Sequence, residues 1–273
     1  MTAISPASAD YCQWLPAVVE LAREAGRRIL EIYQRDFAIE HKADASPLTE
    51  ADMAAHHVIV AGLEALTPGL PVLSEESKGI PFAERSLWHR YWLVDPLDGT
   101  REFINRNGQF TVNIALVEDH QAVLGVVLVP VGGKVYFACR DQGAFCQLSA
   151  EQPAIPIHSR QRSGNHVVVV GSRSHGSPEM QQFLNKLADY ELISLGSALK
   201  SCLVAEGQAD LYPRLGPTSE WDTAAAQCVV EEAGGIVTDT AMVPLRYNTK
   251  DSLLNPHFFV SGDPSQDWSR FLS

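Results

Sequence analysis

Cysteine is scarce and unpatterned in this 273-residue chain. There are five (Cys12, Cys139, Cys146, Cys202, Cys228), an odd number, with no Cys-x-x-Cys pair. That argues against a disulfide framework and for a reducing compartment. Basic residues are outnumbered, 21 Lys and Arg against 33 Asp and Glu, for a net charge of -12. No broad basic face is expected, which speaks against a nucleic-acid polymer as partner. A small anionic substrate is compatible with this charge if a metal supplies the local positive field. Long apolar runs are missing. The longest, residues 122–133, is too short and glycine-rich to span a bilayer. Residues 1–16 lack the basic-then-apolar order of a signal peptide. The expectation is a cytoplasmic protein with no transmembrane segment. None of the nine histidines forms a His-Glu-x-x-His motif, and the adjacent His56 and His57 read as helix-surface residues.

What is present is enough chain to bury a large core and a clear alternation of elements. Apolar residues at helical spacing predict a helix from about Trp14 to Phe37 and a second from about Thr49 to Leu66. "VLSEE" and "YWLVD" read as strands ending in acid, and residues 110–147 as an antiparallel meander. From residue 166 onward, strand and helix alternate: "HVVVVGSRS", a helix near 177–188, "LISLG", a helix over 198–206, "ADLYP", the helix "TAAAQCVVEEAGG" and "IVTD". The pattern implies a mixed α/β protein with helices covering its sheet. The polar, proline-bearing stretch 150–163 suggests two halves, 1–155 and 156–273.

The chemistry concentrates in "YWLVDPLDGTREF", residues 91–103. Asp, Pro and Gly are common turn formers, so a lone Asp-Pro-x-Asp-Gly is most simply a turn. Here, however, Asp95 and Asp98 close a buried strand, where two acids repel and lose solvation unless a cation joins them. Gly99 and Thr100 open a short helix whose amides can face an anion. Further acids occupy comparable settings: Glu75 after "PVLS", Asp222 at a helix start and Asp52 after "SPLTEA". Hard cations such as magnesium take such oxygen ligands, so Asp95, Asp98, Glu75 and Asp222 are candidate metal ligands. The haloacid-dehalogenase pattern Asp-x-Asp fits poorly, because this chain has Asp-x-x-Asp.

"SPLTEAD", "SEE", "DPLDGTREF" and "WDTAAAQCVVEEAGG", in this order along the chain, together resemble the inositol monophosphatase superfamily of magnesium-dependent, lithium-sensitive phosphatases. The resemblance runs from about residue 14 to 262. "GSRSH" and "GSALKSCLVAEGQADLYPRLGPTSEWDTAAAQCV" are similar to its CysQ-type 3'(2'),5'-bisphosphate nucleotidases, which remove the 3'-phosphate of adenosine 3',5'-bisphosphate (PAP), also act on PAPS, and serve sulfate assimilation. The resemblance implies a layered αβαβα sandwich and two or three magnesium ions. Glu75, Asp95 and the Leu97 carbonyl would hold one ion; Asp95, Asp98 and Asp222 would hold another. It implies that Thr100, with Glu75, orients the attacking water and that Asp52 bonds Thr100, although Thr49 or Glu50 could displace Asp52 in that pairing.

Substrate contacts are expected from Gly99, Thr100, Arg173, His175, Ser197, Lys200, Arg214 and Asp222, with Lys200 on the 5'-phosphate. Tyr212 and Pro213 are candidates for the adenine. The resemblance also allows peripheral association with the cytoplasmic face of a membrane. Two rivals remain at this level: an inositol or sugar monophosphatase, which would not need Lys200, and a non-catalytic nucleotide- or metal-binding regulator. The complete carboxylate set speaks against the regulator, because buried acids without a cation are costly.

Overall fold

Val18, Ala22, Ala25 and Ile29 recur at helical spacing and lie fully buried on one face of helix α1 (Leu15–Tyr33). The computed structural model describes residues 11–35, 39–41, 47–77, 79–162, 164–172 and 178–272, positions 39–41, 47 and 48 by backbone alone. A short antiparallel pair, β1 (Ile39–His41) and β2 (Pro47–Thr49), leads into α2 (Glu50–Leu66). Thr49 caps this helix in a reciprocal box with Asp52.

Seven strands build the first sheet: β3 (Val72–Ser74), β4 (Arg90–Asp98), β5 (Thr111–Glu118), β6 (Gln121–Leu128), β7 (Val135–Cys139), β8 (Ala144–Gln147) and β9 (Ile155–Ile157), neighbours in that order. Only β3 and β4 run parallel. Between them lies the short helix α3 (Phe82–Arg85), and between β4 and β5 the short helix α4 (Thr100–Ile104). The polar stretch 150–163 thus holds a strand; Pro156 is tolerated there because β9 is an edge strand.

The second sheet comprises β10 (Val167–Ser172), β11 (Tyr190–Leu195), β12 (Leu211–Arg214), β13 (Ile236–Asp239) and β14 (Phe258–Ser261), in the order β11-β10-β12-β14-β13. Its helices are α5 (Pro178–Lys186), α6 (Leu199–Ala205) and α7 (Ala224–Glu232). The strand β14, with its buried run Phe258-Phe259-Val260-Ser261, has no counterpart in the sequence reading.

Three hydrophobic clusters define the layers. The faces of α1 and α2 pack on one side of the first sheet. Residues of α6 and α7 fill the space between the sheets. Phe183 and Leu184 of α5 cover the outer face of the second sheet with Trp268. The result is the mixed α/β layered architecture, helix–sheet–helix–sheet–helix. Glycine at 125 permits the central contact: a Cβ there would lie 3.0 Å from the Cβ of Cys228 and closer still to the Ala225 carbonyl. Side chains at that position would push α7 off β6.

The cysteine expectation needs correction at one pair. Cys12 and Cys139 are joined by a disulfide that ties the segment before α1 to the end of β7, with Cα atoms 5.7 Å apart. Sequence spacing carries no sign of it, because the two lie 127 positions apart. Among the described residues no helix is long and apolar enough to cross a membrane.

Candidate active site

The register of β4 against β5 makes the site. Asp95 lies opposite Asn113, and Asp98 opposite Thr111. Three steps along β4 therefore match two along β5. Positions three apart in an unbroken strand point to opposite faces. The extra residue at Pro96-Leu97 is a bulge that re-aims the chain, so both carboxylates come to the face shared by Thr111 and Asn113. Gly99 follows in the left-handed region (φ 93°), a conformation that favours glycine, and turns the chain into α4.

Glu75 arrives from the neighbouring strand: its amide donates to the Val94 carbonyl at 3.0 Å, and its side chain shares a hydrogen bond with Asp95. Asp222 lies in the turn Glu220–Asp222 ahead of α7, where its Oδ2 accepts from the Ser219 amide at 3.0 Å. Asp95, Asp98 and Asp222 each present a carboxylate oxygen, all within 4.8 Å of one another.

Burial raises the pKa of Asp95 well above the usual carboxylate range, and Glu75, Asp98 and Asp222 push it in the same direction. Asp222 is pushed up to about 8, again by burial first and then by Asp98 and Glu75. Asp98 is raised by burial, while Lys200, the Ala198 amide and Asn113 pull it back. Like charges gathered out of water are costly alone and favourable around a cation. The donors are all oxygen, three carboxylates close together, which is the chemistry of a hard divalent metal site.

Asp52 stands behind this cluster. Its Oδ2 accepts from the amide and hydroxyl of Thr49 at 2.8 and 2.6 Å, and its Oδ1 accepts from the Thr100 hydroxyl at 3.3 Å. Glu50 instead points outward to Arg35, at 3.1 Å, so Asp52 rather than Glu50 meets Thr100. The Leu97 carbonyl lies 3.5 Å from the same hydroxyl. His56 is more than a surface residue: it half-buries its ring and hydrogen-bonds Ser74 at 2.9 Å, at the end of β3.

Glu75, Asp95, Asp98 and Asp222 line a cleft of about 290 Å³, together with Leu97, Gly99, Thr100, Ser197, Lys200, Tyr212, Arg214 and Thr218. Lys200 is a buried cation, 6% exposed, its ammonium 2.6 Å from the Ser197 carbonyl and 5.2 Å from the centre of the Tyr212 ring. Burial lowers its pKa to about 8. Arg214 donates to the Pro217 carbonyl at 2.6 Å. Its Nε, the Ser197 hydroxyl and the Thr218 hydroxyl are buried without a hydrogen-bond partner. Arg173 and His175 lie outside the described residues.

Three contributors escaped the sequence reading. Thr111 and Asn113 each place a polar atom 3.4 Å from Asp98 Oδ2, and the Ala198 amide donates to the same oxygen at 2.6 Å. The signal for the first two was available: two buried polar residues on one face of an otherwise apolar strand. The third is a backbone group, which sequence patterns do not mark.

A family profile described as "Inositol monophosphatase family" matches residues 10–262. The protein named 3'(2'),5'-bisphosphate nucleotidase CysQ from Escherichia coli (strain K12) is 47% identical over 249 residues, covering 90% of this chain and 99% of its own. The protein of the same name from Haemophilus influenzae is 40% identical over 255 residues, covering 93% and 94%. The crystal structure of CysQ from Bacteroides thetaiotaomicron, described as a bacterial member of the inositol monophosphatase family, aligns with a TM-score of 0.81 at 43% identity, covering 92% of this chain and 98% of that one. A Thermotoga maritima IMPase aligns with a TM-score of 0.76 at 25% identity, covering 95% and 96%.

Proposed function

The chain belongs to the inositol monophosphatase family, and from that premise we propose that it is a magnesium-dependent 3'(2'),5'-bisphosphate nucleotidase. It converts PAP to AMP and phosphate, with PAPS as a further substrate, and serves PAP recycling in sulfate assimilation. One observation carries the reading beyond a generic phosphatase. The cleft that holds the carboxylate cluster is also lined by the buried Lys200, by Arg214 and by two unpartnered hydroxyls. A second phosphate on the substrate would meet these groups; a monophosphate has no need of them.

Glu75, Asp95 and the Leu97 carbonyl would hold one magnesium, and Asp95, Asp98 and Asp222 a second. Bound there, magnesium would supply Lewis-acid stabilisation of phosphate oxygens and a more acidic water. The residues themselves set the geometry. Thr100 and Glu75 orient the attacking water, and Asp52 fixes the Thr100 hydroxyl. The amides of Gly99 and Thr100 receive phosphate oxygens as charge builds on them. Water adds to phosphorus, the bond to the ribose 3'-oxygen breaks, and that oxygen takes up a proton. Ser197, Lys200 and Arg214 hold the second phosphate. The first half, to about residue 155, supplies Asp52, Glu75, Asp95, Asp98 and Thr100; the second supplies Asp222 and the nucleotide contacts.

The test is phosphate release with magnesium from PAP and from inositol 1-phosphate at equal concentration, with and without lithium. A large preference for PAP, suppressed by lithium, is expected. Preference for inositol phosphate would replace the substrate assignment with that of a polyol monophosphatase. Magnesium-dependent stabilisation without release from either ester would favour a binding regulator.

A further inference from the structure

One peptide unit links the buried cation of the cleft to its carboxylate cluster. Its carbonyl belongs to Ser197 and accepts from the Lys200 ammonium at 2.6 Å. Its N–H belongs to Ala198 and donates to Asp98 Oδ2, also at 2.6 Å. The plane is thus clamped between a cation on its oxygen and a carboxylate on its nitrogen. Each bond polarises the amide in the sense that strengthens the other. Holding it there costs backbone energy: Ser197 has φ 50°, in the left-handed region, although it is not glycine. Gly196 must also pack closely, since a Cβ there would lie 2.6 Å from Glu102 Cγ and 2.7 Å from the Gln109 carbonyl. Among the described residues, Lys200 makes no ion pair within 4 Å, and its ammonium donates to the Ser197 carbonyl.

We infer that Lys200 is a positioning residue for the metal ligand Asp98, acting through the Ser197–Ala198 peptide, in addition to any contact with substrate. Oδ2 of Asp98 is engaged by the Ala198 amide, with Thr111 and Asn113 alongside it, so Oδ1 is the oxygen that would serve a cation. The inference rests on the proposed magnesium site but not on the identity of the substrate. It also has a distinctive sign. If Lys200 acted on the metal site only as a nearby positive charge, removing it would tighten magnesium binding, because like charges repel. If it acts through the peptide, removing it weakens magnesium binding.

The experiment is magnesium titration of the substrate-free protein, by calorimetry and by thermal stabilisation, for the wild type and for Lys200→Met and Lys200→Arg. Lys200→Met is expected to weaken magnesium binding about tenfold, the scale of one outer hydrogen bond to a metal ligand. Lys200→Arg, which keeps a donor and a charge, should restore most of it. Unchanged or tighter magnesium binding in Lys200→Met would overturn the relay, while wild-type protein indifferent to magnesium would overturn the metal site itself. The melting temperature without magnesium checks that each variant is folded.

Discussion

Magnesium should stabilise this protein far more at mildly alkaline pH than at mildly acidic pH, and the size of the difference follows from Asp222. Its carboxyl sits at about 8 in the metal-free fold against an ordinary 3.8. Between these values the folded chain keeps a proton that the unfolded chain has released. A raised acid of this kind contributes stability that is complete below the unfolded pKa and is lost as pH climbs through the folded one, at up to about 1.4 kcal/mol per pH unit. The metal-free protein therefore weakens from about pH 4 to about pH 8 on account of this group. A magnesium ion entering the cluster must displace the proton, so its apparent affinity rises about tenfold per pH unit until about pH 8 and then levels off. From about pH 6 to about pH 8, where the acid is still half protonated, that is roughly 50-fold, or about 2.3 kcal/mol of added stabilisation at one saturating magnesium concentration. At about 2–4 °C per kcal/mol for a chain of this size, the gain in melting temperature should be about 5–10 °C larger at the higher pH. Scanning fluorimetry with magnesium against chelator, at both pH values, measures it. A magnesium shift of equal size at both, or larger at the lower pH, would refute the account of the cluster as protonated acids awaiting a cation.

Asp95→Asn should abolish phosphate release and the magnesium shift, yet stabilise the metal-free protein at about pH 8 by roughly 1–3 kcal/mol, since it removes one buried repelling acid and its carbonyl oxygen can still accept from the Leu97 amide. Lower stability together with retained turnover would contradict both halves of that statement. Gly125→Ala should cost about 1–3 kcal/mol by overpacking β6 against the Ala225 carbonyl, read as a fall in melting temperature. Because Asp222 lies just ahead of α7, the same change should weaken magnesium binding, which calorimetry would detect. Lys200, held near 8 by burial, is a cation below that pH and neutral above it. The kcat/KM for a bisphosphate should therefore decline as pH rises past about 8, and Lys200→Arg, which stays charged, should remove that decline while kcat/KM for a monophosphate ester shows little of it.

The chain reads clearly wherever a local pattern has a local cause. Helical spacing in α1 and α2, the valine run of β10 and the small-residue helix α7 each announce their element, and the alternation of strand and helix announces the layered α/β class. The strand-end Asp95 and Asp98, with Glu75 and Asp222, stand out as acids in places where an acid must be explained. Thr49 announces a helix start, and the family resemblance pairs Asp52 with Thr100, but neither tells that Asp52 also closes the capping box with Thr49.

Other features depend on residues distant in the chain. The bulge that brings Asp95 and Asp98 to one face exists only against the register of β5, and Thr111 and Asn113 become a cradle only once that strand lies beside them. The Cys12–Cys139 disulfide joins positions 127 apart that carry no spacing signal. The polar stretch at 150–163 conceals β9 because an edge strand needs little apolar pattern. What the sequence determined is which residues carry charge, which segments bury a face, and so the class of chemistry available. What the tertiary structure decided is how close the acids stand, how dry they are, and which backbone groups meet them, because distance, desolvation and peptide orientation are properties of packing and not of order along the chain.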